Sequence, residues 1–198
     1  MRSLRLIFVT ILSLFLTAAP APAPAPAPAS NAEFIHANCE HTLYPEVCYQ
    51  SLKRYANVVK KDLSRLVQVS IGVSLTRSKL VSPYLENLNR TAQLEPRALA
   101  ALSDCVSYFS QAEQNMRDSL KQMQQLTGTG EELRYQLDNV LTWIGYARTY
   151  QESCTDGFEG EGVSNSDVFG RVEQVKEATS IAIAFVATLV DKAGPVLP

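Results

Sequence analysis

The chain has 198 residues and a formal net charge of −2, with only two histidines and four cysteines. That length suits one domain. The near-neutral, slightly acidic balance argues against nucleic acid as a partner and suits a basic protein partner.

Residues 1–19 read as a secretory signal. Arg2 and Arg5 precede an apolar run from Leu6 to Leu16, and small residues follow at Thr17, Ala18 and Ala19. The run is too short to span a bilayer, which takes about 20 apolar residues, so no membrane contact is expected after cleavage. Its removal leaves 16 Lys+Arg against 20 Asp+Glu, a net −4. Residues 20–30 form an Ala-Pro-rich linker. Proline fixes φ and donates no hydrogen bond, so this stretch is expected to be an extended polyproline II spacer. Residues 31–198 form the domain.

The domain reads as helical throughout. Thr42 is expected to cap, and Pro45 to open, a short helix over 45–55. Over 61–89, Leu63, Leu66, Val67, Ile71, Leu75, Val81, Leu85 and Leu88 recur with helical period, and Pro83 predicts a kink. Over 96–126, Leu99, Leu102, Val106, Phe109, Met116, Leu120 and Met123 step by threes and fours, with one turn skipped near Glu113. Leu133, Leu137, Val140, Leu141, Ile144 and Ala147 define a helix over 131–151. Val168, Val172, Val175, Ala182, Phe185 and Leu189 define one over 167–192, with Ser166 as N-cap and Gly194 marking its end. Four long helices with short connections predict an all-α, up-down-up-down four-helix bundle.

The cysteines fit that architecture. Cys105 lies about 23 residues before Gly128 and Cys154 about 26 after it, so two antiparallel helices joined there bring them level at about 1.5 Å per residue. Cys39 and Cys48 are close in sequence. Of three possible connectivities this favours Cys39–Cys48 and Cys105–Cys154. Secretion and the even count favour disulfides over free thiols.

No catalytic constellation is present, and no cofactor is implied. His36, His41 and Glu40 are too few for a metal site once Cys39 enters a disulfide. The glycines at 157, 160 and 162 follow no strand and read as loop residues, and no serine-nucleophile motif occurs. Asn89-Arg90-Thr91 is an N-glycosylation sequon, with Asn89 as acceptor.

Three segments carry a family resemblance. Cys39 with Thr42-Leu43-Tyr44-Pro45-Glu46-Val47-Cys48, Ala98-Leu99 with Leu102-Ser103-Asp104-Cys105, and Leu141-Thr142-Trp143 with Cys154-Thr155-Asp156-Gly157-Phe158 resemble the plant invertase and pectin methylesterase inhibitor family. The match runs from about residue 32 to 189. It implies a short N-terminal helical hairpin closed by the first disulfide, ahead of a bundle braced by the second. It also implies a secreted, non-enzymatic protein of the apoplast or cell wall that covers the active-site cleft of pectin methylesterase in a 1:1 complex. The alternatives are an inhibitor of cell-wall or vacuolar invertase, and a diverged structural or interaction protein of the wall without inhibitory activity. The invertase branch carries a Pro-Lys-Phe motif that is missing after Cys154, and the Cys-Thr-Asp-Gly-Phe start looks more like the pectin methylesterase branch. In a plant wall the Ala-Pro alternation is similar to arabinogalactan-protein modules, whose prolines are hydroxylated and glycosylated. With no catalytic domain before Pro198, a standalone product is expected rather than a pro-region.

Two stripes are candidate partner-binding residues. Ser107, Gln111, Gln114 and Asp118 lie away from the core seam, several of them where the family carries carboxylates. Thr142 and Tyr146, with Tyr135 and Thr149, form a second stripe that reads either as interface or as packing. Tyr146 and Arg148 are large where the family is small or apolar, and Asp156 joins the candidates from the motif after Cys154.

Overall fold

The computed structural model describes residues 30–158 and 166–194. The signal, all of the linker but Ser30, and the glycines at 160 and 162 lie outside the described residues. Among those described, every regular element is helical.

The N-terminal hairpin begins with α1 (Asn31–Cys39). Ser30 and Glu33 form a reciprocal capping box, which satisfies two orphan amides of the first turn. After a tight corner comes α2 (Pro45–Leu52). Thr42 does not cap it: its buried hydroxyl donates back to the Cys39 carbonyl at 2.8 Å. The cap position falls to Tyr44, whose side chain makes no capping bond, and Pro45 supplies the pre-set φ at the first turn. The helix expected over 45–55 divides instead into α2, a 3₁₀ turn at Lys53–Tyr55 and the short α3 (Ala56–Val59). Lys60 (φ 48°) and Lys61 (φ 61°) are both left-handed, which stops α3 and swings the chain into the bundle.

Four long helices follow. Asp62 caps α4 (Leu63–Thr91) by accepting from the amides of Ser64 at 2.8 Å and Arg65 at 3.2 Å. The helix continues through Pro83, which lies on its exposed side. Pro96 opens α5 (Pro96–Gln124). Its seam residues are Ala98, Leu102, Cys105, Phe109, Ala112, Met116, Ser119 and Met123, an unbroken alternation of four and three, with Glu113 also buried beside them. The turn expected to be skipped is filled by Ala112, whereas Leu99 faces solvent at 37 % exposure. Small residues alternate with large ones along this seam, so a neighbouring helix can approach closely.

The neighbour is α6 (Gly130–Asp156), with a matching series at Leu137, Val140, Ile144, Ala147, Gln151 and Cys154. Gly128 (φ 73°) and Gly130 (φ 58°) make the reversal, and a Cβ at Gly128 would strike the Glu132 carboxylate at 2.3 Å. Gln136 clamps the turn: its amide donates to the Thr127 carbonyl at 2.9 Å and accepts from the Thr127 amide at 3.2 Å. α7 (Ser166–Lys192) closes the bundle, opening at the serine expected to cap it. Beyond it Gly194 is left-handed (φ 89°) and its carbonyl accepts from Arg134 at 2.6 Å.

The helices pack in a ring, α4 on α5, α5 on α6, α6 on α7 and α7 on α4. Both disulfides pair as the spacing predicts. Cys39–Cys48 closes the hairpin with Cα atoms 5.6 Å apart, and Cys105–Cys154 ties α5 to α6 at 4.3 Å.

Candidate protein-docking face

The α5–α6 pair sets a register that can be read from its bonds. Cys105 meets Cys154, and the Ser119 hydroxyl donates to the Val140 carbonyl at 3.4 Å. Residues whose numbers sum to about 259 are therefore level. On α5 the residues beside the seam on the α6 side are Asp104, Tyr108, Gln111, Asn115, Asp118 and Gln122. On α6 their counterparts are Ser153, Tyr150, Tyr146, Trp143, Asn139 and Gln136. By helical spacing and this register the two rows flank the outward groove between the paired helices, on the side of the bundle away from α4 and α7.

Its centre is aromatic. Tyr108 and Tyr150 stack with ring centroids 6.1 Å apart and planes 26° off parallel. Tyr146 stands out at 56 % exposure beside them. One end opens into a depression of about 270 Å³ bounded by Arg97, Asp104, Tyr108, Ser153 and Gly157. The other opens into one of about 290 Å³, where Trp143 meets Asp118, Lys121, Gln122 and Gln125. Asp104 and Asp118 are balanced by Arg97 and Lys121, so charge contributes little net attraction. Rigid aromatic surface on braced helices is the chemistry of protein docking, where Trp, Tyr and Arg anchors dominate.

A scan against protein families matches residues 33–185 to "Plant invertase/pectin methylesterase inhibitor". The chain belongs to that family. Among similar proteins is the "21 kDa protein" of Daucus carota, 32% identical over 158 residues, covering 78% of this chain and 82% of that one. "Pectinesterase inhibitor 11" of Arabidopsis thaliana is 28% identical over 165 residues, covering 80% and 81%. The fold is similar to the crystal structure of a mutant form of a pectin methylesterase inhibitor from Arabidopsis, with TM-score 0.64 at 17% identity, over 80% of this chain and 97% of that one.

Within this inhibitor-family bundle the candidate residues divide. Gln111 and Asp118 border the groove from α5, and Tyr146 borders it from α6. Ser107 and Gln114 lie on the outermost line of α5, opposite the seam, where the Gln114 amide donates to both Asp118 carboxylate oxygens at 3.1 Å. Thr142 and Thr149 are exposed on α6, as are Tyr135 and Tyr146, so this stripe is surface and not helix packing. Arg148 turns the other way, pairing with Glu152 at 3.4 Å, and Glu152 in turn reaches Lys176 of α7 at 4.0 Å. Asp156 is exposed on the last turn of α6, where helical spacing puts it on the α7 side, away from the groove. Asn89 is half-buried near the end of α4, and Thr91 of its sequon donates to the Asn87 carbonyl at 2.9 Å.

Sequence reading passed over Tyr108, Tyr150 and Trp143 as groove residues. The signal was available: Trp143, Tyr146 and Tyr150 follow at helical spacing, and the Cys105–Cys154 register makes Tyr108 level with Tyr150. Glu113 was named only as the place where the seam skips a turn. It is buried, accepting from Ser82 of α4 at 2.5 Å and from Arg117 at 2.6 Å, and so joins α4 to α5 on the far side of the helix from the groove.

The displaced proton affinities lie elsewhere. Arg171, which donates to Asp167 at 3.0 Å and stacks on Tyr84 at 4.4 Å, holds the Asp167 carboxyl below its usual range. Burial and Asp167 push the Tyr84 phenol up. Burial lowers the Arg77 guanidinium, while Ser30 lowers Glu33 through backbone and hydroxyl hydrogen bonds. These groups belong to α1, α4 and α7.

Proposed function

We propose that this chain is a secreted inhibitor of pectin methylesterase that covers the enzyme's active-site cleft with the outward groove of α5 and α6. The observation that carries this reading is the preorganised aromatic and polar face of that pair, in a chain of this family with curated relatives named as pectinesterase inhibitors. Such a face binds without prior folding, so little ordering entropy opposes association. Residues 1–19 direct export to the apoplast, residues 20–30 space the domain from its N-terminus, and Asn89 is the site for an N-linked glycan.

The test uses the oxidised, purified protein against a plant pectin methylesterase, with acid invertase assayed in parallel. Esterase activity is lost and invertase activity is retained. Tyr146→Ala and Gln111→Ala each weaken inhibition, Tyr146→Ala by about 2 kcal/mol, or roughly thirtyfold in the inhibition constant, as a docking anchor would. Unchanged inhibition by both variants would remove α5–α6 as the docking face. Loss of invertase activity alone would replace the esterase as the target.

A further inference from the structure

The cations of this chain are unevenly placed. Between Lys53 and Arg65 there are five, Lys53, Arg54, Lys60, Lys61 and Arg65, against Asp62 alone. That corner carries +4 in a chain of net −2, so the remainder carries −6. All five side chains are exposed. The consecutive left-handed residues Lys60 and Lys61 present neighbouring ammonium groups at the entry to α4. Asp62, 3.5 Å from Arg65, and Glu33, which feels Lys61, offset part of the charge.

Aromatic faces lie among these cations. Lys53 Nζ sits 5.8 Å from the Tyr49 centroid, and the Arg54 guanidinium 5.1 Å from that of Tyr55. At the entry to α4 a groove of about 430 Å³ is walled by Val58, Asp62, Ser64, Arg65, Gln68 and Val69. Lysines are depleted from protein–protein interfaces, and this corner offers Val58 as its exposed apolar group. Strongly hydrated cations beside tyrosine rings suit an acidic carbohydrate, whose carboxylates meet the charges and whose ring faces meet the aromatics.

We propose that the Lys53–Arg65 corner binds demethylesterified pectin, a linear polyuronate. The choice of this polyanion rests on the function proposed above: ester hydrolysis converts each methyl ester and a water into a carboxylate, a proton and methanol, so the enzyme's product is the anionic polymer. The corner lies at the entry to α4, and the docking groove faces away from α4. The protein can therefore hold the product polymer while α5–α6 faces the enzyme, concentrating inhibitor where de-esterification has begun.

Affinity electrophoresis of the full oxidised chain through gels containing polygalacturonate or fully methylesterified pectin tests this. Polygalacturonate retards the protein and the ester does not. Raising ionic strength from about 0.01 M to about 1 M cuts the screening length from about 30 Å to about 3 Å and abolishes retardation. Lys53→Gln, Lys60→Gln and Lys61→Gln together weaken binding about tenfold or more, whereas Lys79→Gln, Arg90→Gln and Lys192→Gln, an equal charge change elsewhere, leave it intact. Equal retardation of both triple variants, or equal retardation by both polymers, overturns the proposal. So does a self-associating wild type made monomeric by the first variant, which would assign the corner to a second copy's acidic surface. Esterase inhibition is read separately: its absence alongside intact polymer binding would sink the inhibitor reading only.

Discussion

Gln151 offers a sharp test of how this bundle is held together. It lies on the α6 seam between Ala147 and Cys154, is fully buried, and neither its amide nitrogen nor its amide oxygen has a hydrogen-bond partner among the described residues. Stripping water from an amide without replacing its bonds costs about 1–3 kcal/mol in proteins. Methionine has a similar length and an unbranched, adaptable stem, so Gln151→Met keeps the volume and removes the penalty. The variant is expected to gain about 1–3 kcal/mol. At roughly 3 °C per kcal/mol for a domain of this size, its melting temperature rises by about 3–9 °C. Calorimetry or helical dichroism on the oxidised protein reads this directly. A variant melting at or below the wild type would mean that the amide is satisfied in solution, and the reasoning would fail.

Replacing both Cys105 and Cys154 by alanine frees a 49-residue connection, and is expected to cost about 4 kcal/mol on the chain-entropy model. Chemical denaturation of the double variant measures it. Glu113→Ala removes the acceptor shared by Ser82 of α4 and the exposed Arg117, at a cost of about 2 kcal/mol; Glu113→Gln retains the Ser82 bond and loses less. Asp167 has its folded pKa depressed by Arg171, so its stabilising contribution is present above the ordinary carboxylate range and is lost as pH falls through the lowered value. A carboxyl titration followed by NMR places Asp167 below the ordinary aspartate value of 3.8, and Arg171→Gln moves it upward.

The helical architecture and the cysteine pairing were legible because both follow from periodicity and distance along the chain. The α5 seam was half legible. Leu99 drew attention as a large apolar residue, yet the neighbouring Ala98 is the buried one, because close approach to another helix selects for small side chains as well as large. Glu113 was unreadable for a different reason: its second partner, Ser82, is 31 positions away on α4, and helical spacing reveals nothing about a different helix. The hairpin was harder still. α1 carried no strong apolar period, and the break after α2 depends on Lys60 and Lys61 adopting a conformation that lysine seldom takes. On the candidate face, Gln111 and Tyr146 could be nominated singly. Their meeting with Tyr108 and Tyr150 needed the interhelical register.

The Cys105–Cys154 bond also changes what tension can do. A force applied at the two ends of the chain passes from Cys105 straight to Cys154, leaving the 49-residue span between them outside the loaded path. Roughly 160–175 Å of contour length is thereby withheld from extension. The reversal at Gly128 and its Gln136 clamp lie inside that shielded span. Pulled from its two ends, the protein would keep the two helices that carry the groove linked after the rest of the bundle had opened.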